Sequence, residues 1–479
     1  MLFPHMEIDM LRKIVRSSKF RHAYGVAQKR ENCYEDVRVT KNSWDSNFCD
    51  VNPKFLAVVT ESAGGGAFLV LPLAQTGRLP VDYPLVTGHR ASILDLAWCP
   101  HDDHILASAS EDCSVKIWEI PADGLIRKIL EPIIDIGRAH ERRVSFARWH
   151  PAAGDILLTA GGDFTISGHP DQIMSASWNY DGSLVLTTCR DKMIRVFDSR
   201  SGNILKSVDG HTGLKPSRGL FLKDGRIFTT GFSKMSIRQY ALWDLDQSDE
   251  PLVCEDIDSS NGTVFPFYDP DINMIYLAGK GDSSIRYFEY TKQDPYIHYI
   301  DTFTSTEPYR GVAFMPKRGL DINHCEIARF YQLKNSNYCQ IVGIFVPRKS
   351  EDFQEDLYPQ TLACVAATSA EEWWSGVNIN PAMMDIKPNF ANQNAESTTN
   401  SHHTIQSRTK RRNPKNAAAS DRSSEAKHSN QNQQNISHEF ESLKSIINDV
   451  NSQFIDLANT VKQLCKRVDV IEKALRIKT

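Results

Sequence analysis

The 479-residue chain has no long hydrophobic run. No stretch approaches the ~18–20 consecutive apolar residues of a membrane-spanning helix. Its first residues, MLFPHMEIDMLRKIVR, are broken by Glu7 and Asp9 and lack the clean apolar core and small-residue cleavage site of a secretory signal. The ten cysteines occur singly, with no C-x-x-C pair, so neither a zinc site nor a disulfide framework is indicated. Reduced thiols fit a cytoplasmic protein. Charge of one sign is missing too: the formal net charge is −4, without the basic excess of a nucleic-acid binder. Gly64-Gly65-Gly66 and Gly279–Ser283 are not followed by the Gly-Lys-Ser/Thr of a phosphate-binding loop and read as hairpin turns. No His-Glu-x-x-His or Ser/His/Asp signature occurs. These absences point away from an enzyme, a metal protein or a cofactor carrier.

What is present is a repeat. Gly88-His89 opens a segment of alternating apolar and polar residues that passes Trp98, Ser108 and Asp112 and ends on Trp118, six residues after the aspartate. In such a WD repeat His89, Asp112, Ser108 and Trp118 form a buried hydrogen-bonded chain, worthwhile only when every member is satisfied. Weaker copies begin at His140, His169 and His211, and another runs through Asp282 to Phe288. Each repeat is a four-stranded blade that cannot bury both faces alone, so blades close into a ring. Strand-rich sequence from about Phe20 to Pro347, at about 40–45 residues per blade, predicts an all-β, seven-bladed β-propeller over residues 12–347, behind a short leader (1–11). One blade breaks the pattern. Asp112 stands 28 residues before the next histidine head and Asp191 stands 20, but Asp163 only 6 before His169. The third blade is therefore expected to be truncated, with only Phe164-Thr-Ile-Ser167 left of its outer half and an exposed edge.

Residues 348–386 are polar with spaced aromatics, the pattern of an extension held on the propeller by side chains. Residues 387–436 shift to Asn, Ser, Gln and Thr, too few apolar groups to order themselves, and are expected to be a disordered linker. Residues 437–479 carry an unbroken 3-4 apolar spacing from Phe440 through Leu464, Val468, Ile471 and Leu475, the seam of a coiled coil roughly 50 Å long. Arg467 and Glu472 can pair across helices, and the seam residues alone leave dimer and trimer open.

Several segments resemble the coronins: Val15–His22, Cys33-Tyr-Glu-Asp-Val-Arg38, Glu61–Pro72, Gly279–Phe288, Met315–Leu320, Cys325–Tyr331 and Pro347–Pro359. The resemblance implies filamentous actin as a partner, contacted through Arg38, with Lys19 and Arg21 as further candidates. It also implies the actin-nucleating complex of actin-related proteins as a partner, and a location in the cytoplasm and cortical cytoskeleton. The coil's Arg467-Val468-Asp-Val-Ile471-Glu472 is similar to the trimer signature of coronin coils, which tips self-association towards a homotrimer.

Overall fold

A computed structural model describes residues 16–62, 65–163, 168–350 and 352–386. The expected linker and coiled coil, including Leu464, Arg467, Val468, Ile471, Glu472 and Leu475, lie outside the described residues, as does the leader.

The described chain is an all-β propeller. Its innermost strands pack against one another in chain order, and Ile93–Trp98 is a continuous buried run because it lies between two neighbouring blades. Outermost strands such as Ile204–Asp209 are largely exposed. Tryptophans at the ends of three successive inner strands latch each strand to the one before it. Trp98 Nε1 donates to the Asp50 carbonyl at 3.1 Å, Trp149 Nε1 to Ala97 at 2.9 Å and Trp178 Nε1 to Arg148 at 3.1 Å.

Five blades are four-stranded antiparallel sheets, and a sixth closes the ring. The closing sheet joins Tyr309–Phe314, Glu326–Lys334 and Tyr338–Phe345 to the N-terminal strand Tyr24–Ala27 in antiparallel register, from Tyr24 opposite Phe345 to Ala27 opposite Val342. Tyr34–Glu35 then pairs with the other end of Tyr338–Phe345.

The expected seven blades are corrected to six. At the third position only Val144–Trp149 and Leu157–Gly161 pair, as a two-stranded hairpin. The six positions from Asp163 to His169 cannot hold two further strands of typically five to six residues with their turn. The inner ring nevertheless keeps a strand there, because the Val144–Trp149 strand is intact.

The C-terminal extension covers the end of the ring where the inner strands finish. Ala367 N–H donates to the Ala152 carbonyl at 2.8 Å, and Gly154 N–H donates to the Thr368 carbonyl at 3.0 Å. Ser369 caps the short helix Ala370–Trp374 through a capping box with Glu372. This turn buries Trp373 edge-on to His150, with centroids 5.2 Å apart, and Trp178 joins the same cluster, 4.8 Å from the histidine and 6.4 Å from Trp373. The Arg200 guanidinium lies 4.6 Å from the Trp373 ring, and its Nε donates to the Trp373 carbonyl at 2.6 Å.

His150 holds this junction as a neutral ring. Its Nδ1 accepts from the N–H groups of Ala152 at 3.1 Å and Ala153 at 2.7 Å, which assigns the proton to Nε2, 3.2 Å from the Gly182 carbonyl. Burial, the largest cause, lowers its pKa to about 4, with His101 and Arg200 acting in the same direction. An unfolded histidine titrates near ~6.5, so between these values the unfolded chain binds more protons. The stability associated with neutral His150 is complete above about 6.5 and is lost as pH falls towards about 4. His211, also lowered to about 4 by burial, acts in the same direction. We predict that the chemical-denaturation midpoint falls between pH 7 and pH 4.5, and that His150→Gln flattens this slope. An equal slope in the variant would remove His150 as a source.

Candidate interaction surface

The strand Tyr34–Glu35 brings the chain to the face where the inner strands begin. Buried Tyr34 anchors it, its hydroxyl donating to the Pro72 carbonyl at 3.1 Å. Asp36 turns the backbone at φ 61°, a left-handed conformation that Asp tolerates, and its carboxylate pairs with Arg78 at 2.6 Å. Val37 N–H then donates to the Asn337 carbonyl at 2.8 Å, which leaves Arg38 exposed.

From here Asn42–Phe48 crosses the mouth of the central channel and is tied to blades all round the ring. Arg310 Nη2 donates to the Asn42 carbonyl at 2.7 Å, and Lys280 Nζ to the Ser43 carbonyl at 2.9 Å and to Asp45 Oδ1 at 3.1 Å. Thr263 Oγ1 donates to Asp45 Oδ2 at 3.1 Å, and Arg218 donates to the Asp45 backbone carbonyl. Ser46 Oγ donates to Asp95 at 3.3 Å, Val312 N–H to the Asn47 carbonyl at 3.1 Å, and the Arg143 guanidinium lies 4.6 Å from the Trp44 ring. Burial lowers the pKa of Lys280, and brings that of Arg218 down to about 10. Arg218 stays charged at neutral pH.

Behind this plug lies a cavity of about 480 Å³ with a largely apolar wall, reaching Leu362 of the C-terminal extension. Asp95 and Arg148 pair in its wall at 2.5 Å. Asp50 accepts from the backbone N–H groups of Trp98 at 2.8 Å and Val51 at 2.9 Å, and burial pushes its carboxyl up to about 7. Among the described residues no three His, Cys, Asp or Glu side chains cluster as metal ligands, and no helix is long and apolar enough to cross a membrane.

The repeat residues form a scaffold within one blade. His89 Nδ1 lies 3.0 Å from Asp112 and its Nε2 lies 2.7 Å from Ser108 Oγ, which also accepts from Trp118 Nε1 at 2.8 Å. Burial alone would raise the Asp112 carboxyl, but hydrogen bonds from His89 and Ser114 outweigh it and hold the group well below the usual carboxylate range. His211, Thr229 and Trp243 repeat the chain at 3.0 and 2.8 Å.

The candidate contact residues do not converge. Arg38 follows the pairing at the Tyr338 end of Tyr338–Phe345, whereas Lys19 and Arg21 precede Tyr24, which pairs at the Phe345 end. The eight residues of that strand, at about 3.3 Å each, put the two groups roughly 25 Å apart on opposite faces of the ring. Lys19 donates to the Asp356 carbonyl of the C-terminal extension, and Arg21 is exposed beside it. Sequence reasoning missed the anchors Arg143, Arg218, Lys280 and Arg310. In the sequence Lys280 stands in a hairpin turn and in a coronin-like segment, with nothing to mark it as an anchor.

Repeat, ring and buried histidine chains together define a WD-repeat β-propeller. Family profiles agree: the WD domain G-beta repeat matches residues 83–119 and 163–198, and a type of WD40 repeat matches 339–381. A domain of unknown function, DUF1899, matches 13–78, the segment that carries Arg38 and the plug. The WD40 domain of a Toxoplasma gondii coronin superposes with a TM-score of 0.72 at 31% identity, covering 76% of this chain and 97% of that one. A chain of a mitotic checkpoint complex aligns at 13% identity with a TM-score of 0.47, covering 73% of this chain and 100% of that one, too low to carry any argument. The chain belongs to the coronin family.

Lys280→Met would remove an ammonium shared by the Ser43 carbonyl and the Asp45 carboxylate. We predict a loss of about 1–3 kcal/mol in stability. Faster amide hydrogen exchange should be confined to residues 42–48, and a change spread over the blades would contradict the plug.

Proposed function

We propose that this chain binds actin filaments through the plugged face around Arg38, and that the expected C-terminal coil multiplies this binding by self-association. The observation that carries the reading is Arg38 itself. It is exposed on a segment whose two sides are fixed by Val37 to the closing blade and by Asn42–Asp45 to the ring. A side chain on so rigid a stage loses little freedom on docking. Lys41, Arg90, Arg142 and Lys234 are exposed and Lys192 and Lys215 half-buried on the loops of the same face, suited to an acidic partner surface. Membership of the coronin family supports the filament as that surface and the actin-nucleating complex as a second partner, in a cytoplasmic, cytoskeletal setting. The work is binding rather than catalysis. Lys19 and Arg21 lie on the other face, outside this contact.

Arg38→Asp should weaken filament co-sedimentation by about tenfold or more, about 1.4 kcal/mol or more, whereas Lys19→Glu with Arg21→Glu should weaken it less. The opposite ranking would move the binding face to the other end of the ring, and unchanged pelleting in both would remove actin as the partner. Truncation after Asn435 should convert a trimer to a monomer in sedimentation and reduce apparent filament affinity by about 10²–10⁴ through lost avidity. A truncated chain that remains a trimer would refute the coil as the oligomerising element.

A further inference from the structure

The central channel behind the plug carries an imbalance of hydrogen-bonding groups. Its wall is largely apolar, with Phe146, Trp149, Trp178, Leu220, Phe265 and Phe267 among the side chains that form it. The indole N–H groups of Trp98, Trp149 and Trp178 are spent on backbone carbonyls, so these rings offer the channel hydrocarbon alone. At about 480 Å³ the cavity falls within the roughly 300–1,000 Å³ usual for small-molecule sites. The plug closes one end, and Pro100, Pro151 and Leu362 stand at the other.

The carboxylates of the wall are already satisfied by the protein. Asp45 accepts from Lys280 and Thr263, and Asp95 accepts from Ser46, Arg148 and the Ala147 N–H. Asp50 accepts from the N–H groups of Val51 and Trp98. A metal cation therefore finds no unspent carboxylate here.

The donors are not satisfied. Ser145 is 3% exposed, and its hydroxyl has no partner among the described residues. Arg218 spends its two terminal nitrogens on the Met174 and Asp45 carbonyls, while its buried Nε has no partner among those residues. Arg148 reaches Asp95 and the Ala147 carbonyl through Nη1 alone, which leaves Nε and Nη2 to the channel. The Asn47 amide of the plug adds a buried oxygen without a partner among the described residues, and turning that amide would present its N–H groups instead. Ser145 and Arg148 lie on the inner strand Val144–Trp149, and Arg218 opens the inner strand Arg218–Phe221. Both strands pack against Ile173–Trp178, so the two guanidinium groups come from either side of one strand.

We propose that the channel binds a small organic acid with a hydrocarbon body. The carboxylate takes the unspent N–H groups of Arg148 and Arg218 and the hydroxyl of Ser145, charge-assisted bonds that a guanidinium makes well. The body packs towards the Leu362 end, where Trp149 and Trp178 finish their strands. A bare inorganic anion would leave the apolar wall in water, and a neutral hydrocarbon would leave the buried donors without acceptors.

The test titrates the full chain with 4-phenylbutyrate at pH 6, below the Asp50 value of about 7, by calorimetry and tryptophan fluorescence. A single saturable site is expected. Its uncharged amide, 4-phenylbutyramide, and acetate, which lacks the body, should each bind about tenfold or more weakly. Ser145→Ala should weaken binding about two- to tenfold without lowering the melting temperature, because the hydroxyl has no protein partner to lose. Arg148→Gln, which keeps a donor for Asp95, should weaken it about tenfold or more. Ser177→Phe, which puts a ring into the cavity, should abolish it in a chain that still melts cooperatively. No saturation, an amide that binds as tightly as the acid, acetate that binds as tightly, or indifference to all three substitutions would each overturn the proposal.

Discussion

A ring of blades holds together only when its ends meet, and here they meet through four residue pairs between Tyr24–Ala27 and Tyr338–Phe345. Each blade buries its faces only against its neighbours, so an open ring would leave two broad apolar faces in water. The N-terminal segment does more than close the circle. Below the pairing, Phe20 is buried against the closing blade and Lys19 reaches the C-terminal extension. Above it, Tyr34 anchors the chain again, Arg38 emerges, and Asn42–Phe48 plugs the channel. One continuous stretch therefore runs along the seam from face to face. The strand that closes the ring also fixes which basic residues appear on which side.

The ring tolerates a damaged blade because circular closure and blade completeness are separate requirements. Closure needs only the inner strand, and Val144–Trp149 supplies it, with Trp149 bonded to the preceding inner strand and Trp178 to this one. The outer strands of a blade bury less, so their loss takes less stability and leaves most of its cost as exposed apolar wall. His140 still bonds Thr159 at 2.9 Å and Asp163 at 3.1 Å, so the turn chemistry of the repeat outlives the strands it normally braces.

The fold was legible wherever its causes are local. The histidine-to-aspartate spacing, the closing tryptophan and the gap after Asp163 are all short-range, and they showed both the propeller and its defect. The count of seven was one too high because periodicity counts repeats begun, and the third repeat begins normally at His140 before losing its outer half. The plug was not legible. Lys280 and Ser43 are 237 residues apart, and nothing near either marks it as the other's partner. Nor could spacing show that Lys19 and Arg38, nineteen residues apart, sit on opposite faces, since that depends on both flanking the same strand of the closing blade.

The C-terminal extension gives the truncated position its second support. Its backbone bonds to Ala152 and Gly154 fall on the turn that joins the two surviving strands of the hairpin, and the His150 imidazole beside that turn clusters with Trp178 of the next blade and Trp373 of the extension. The hairpin is thus held on its inner side by the ring, at one end by the extension, and at the other by Arg143 stacked on Trp44 of the plug. Only its outer edge lacks a partner among the described residues. A two-stranded ribbon alone is marginal in water, and here it is braced on three sides.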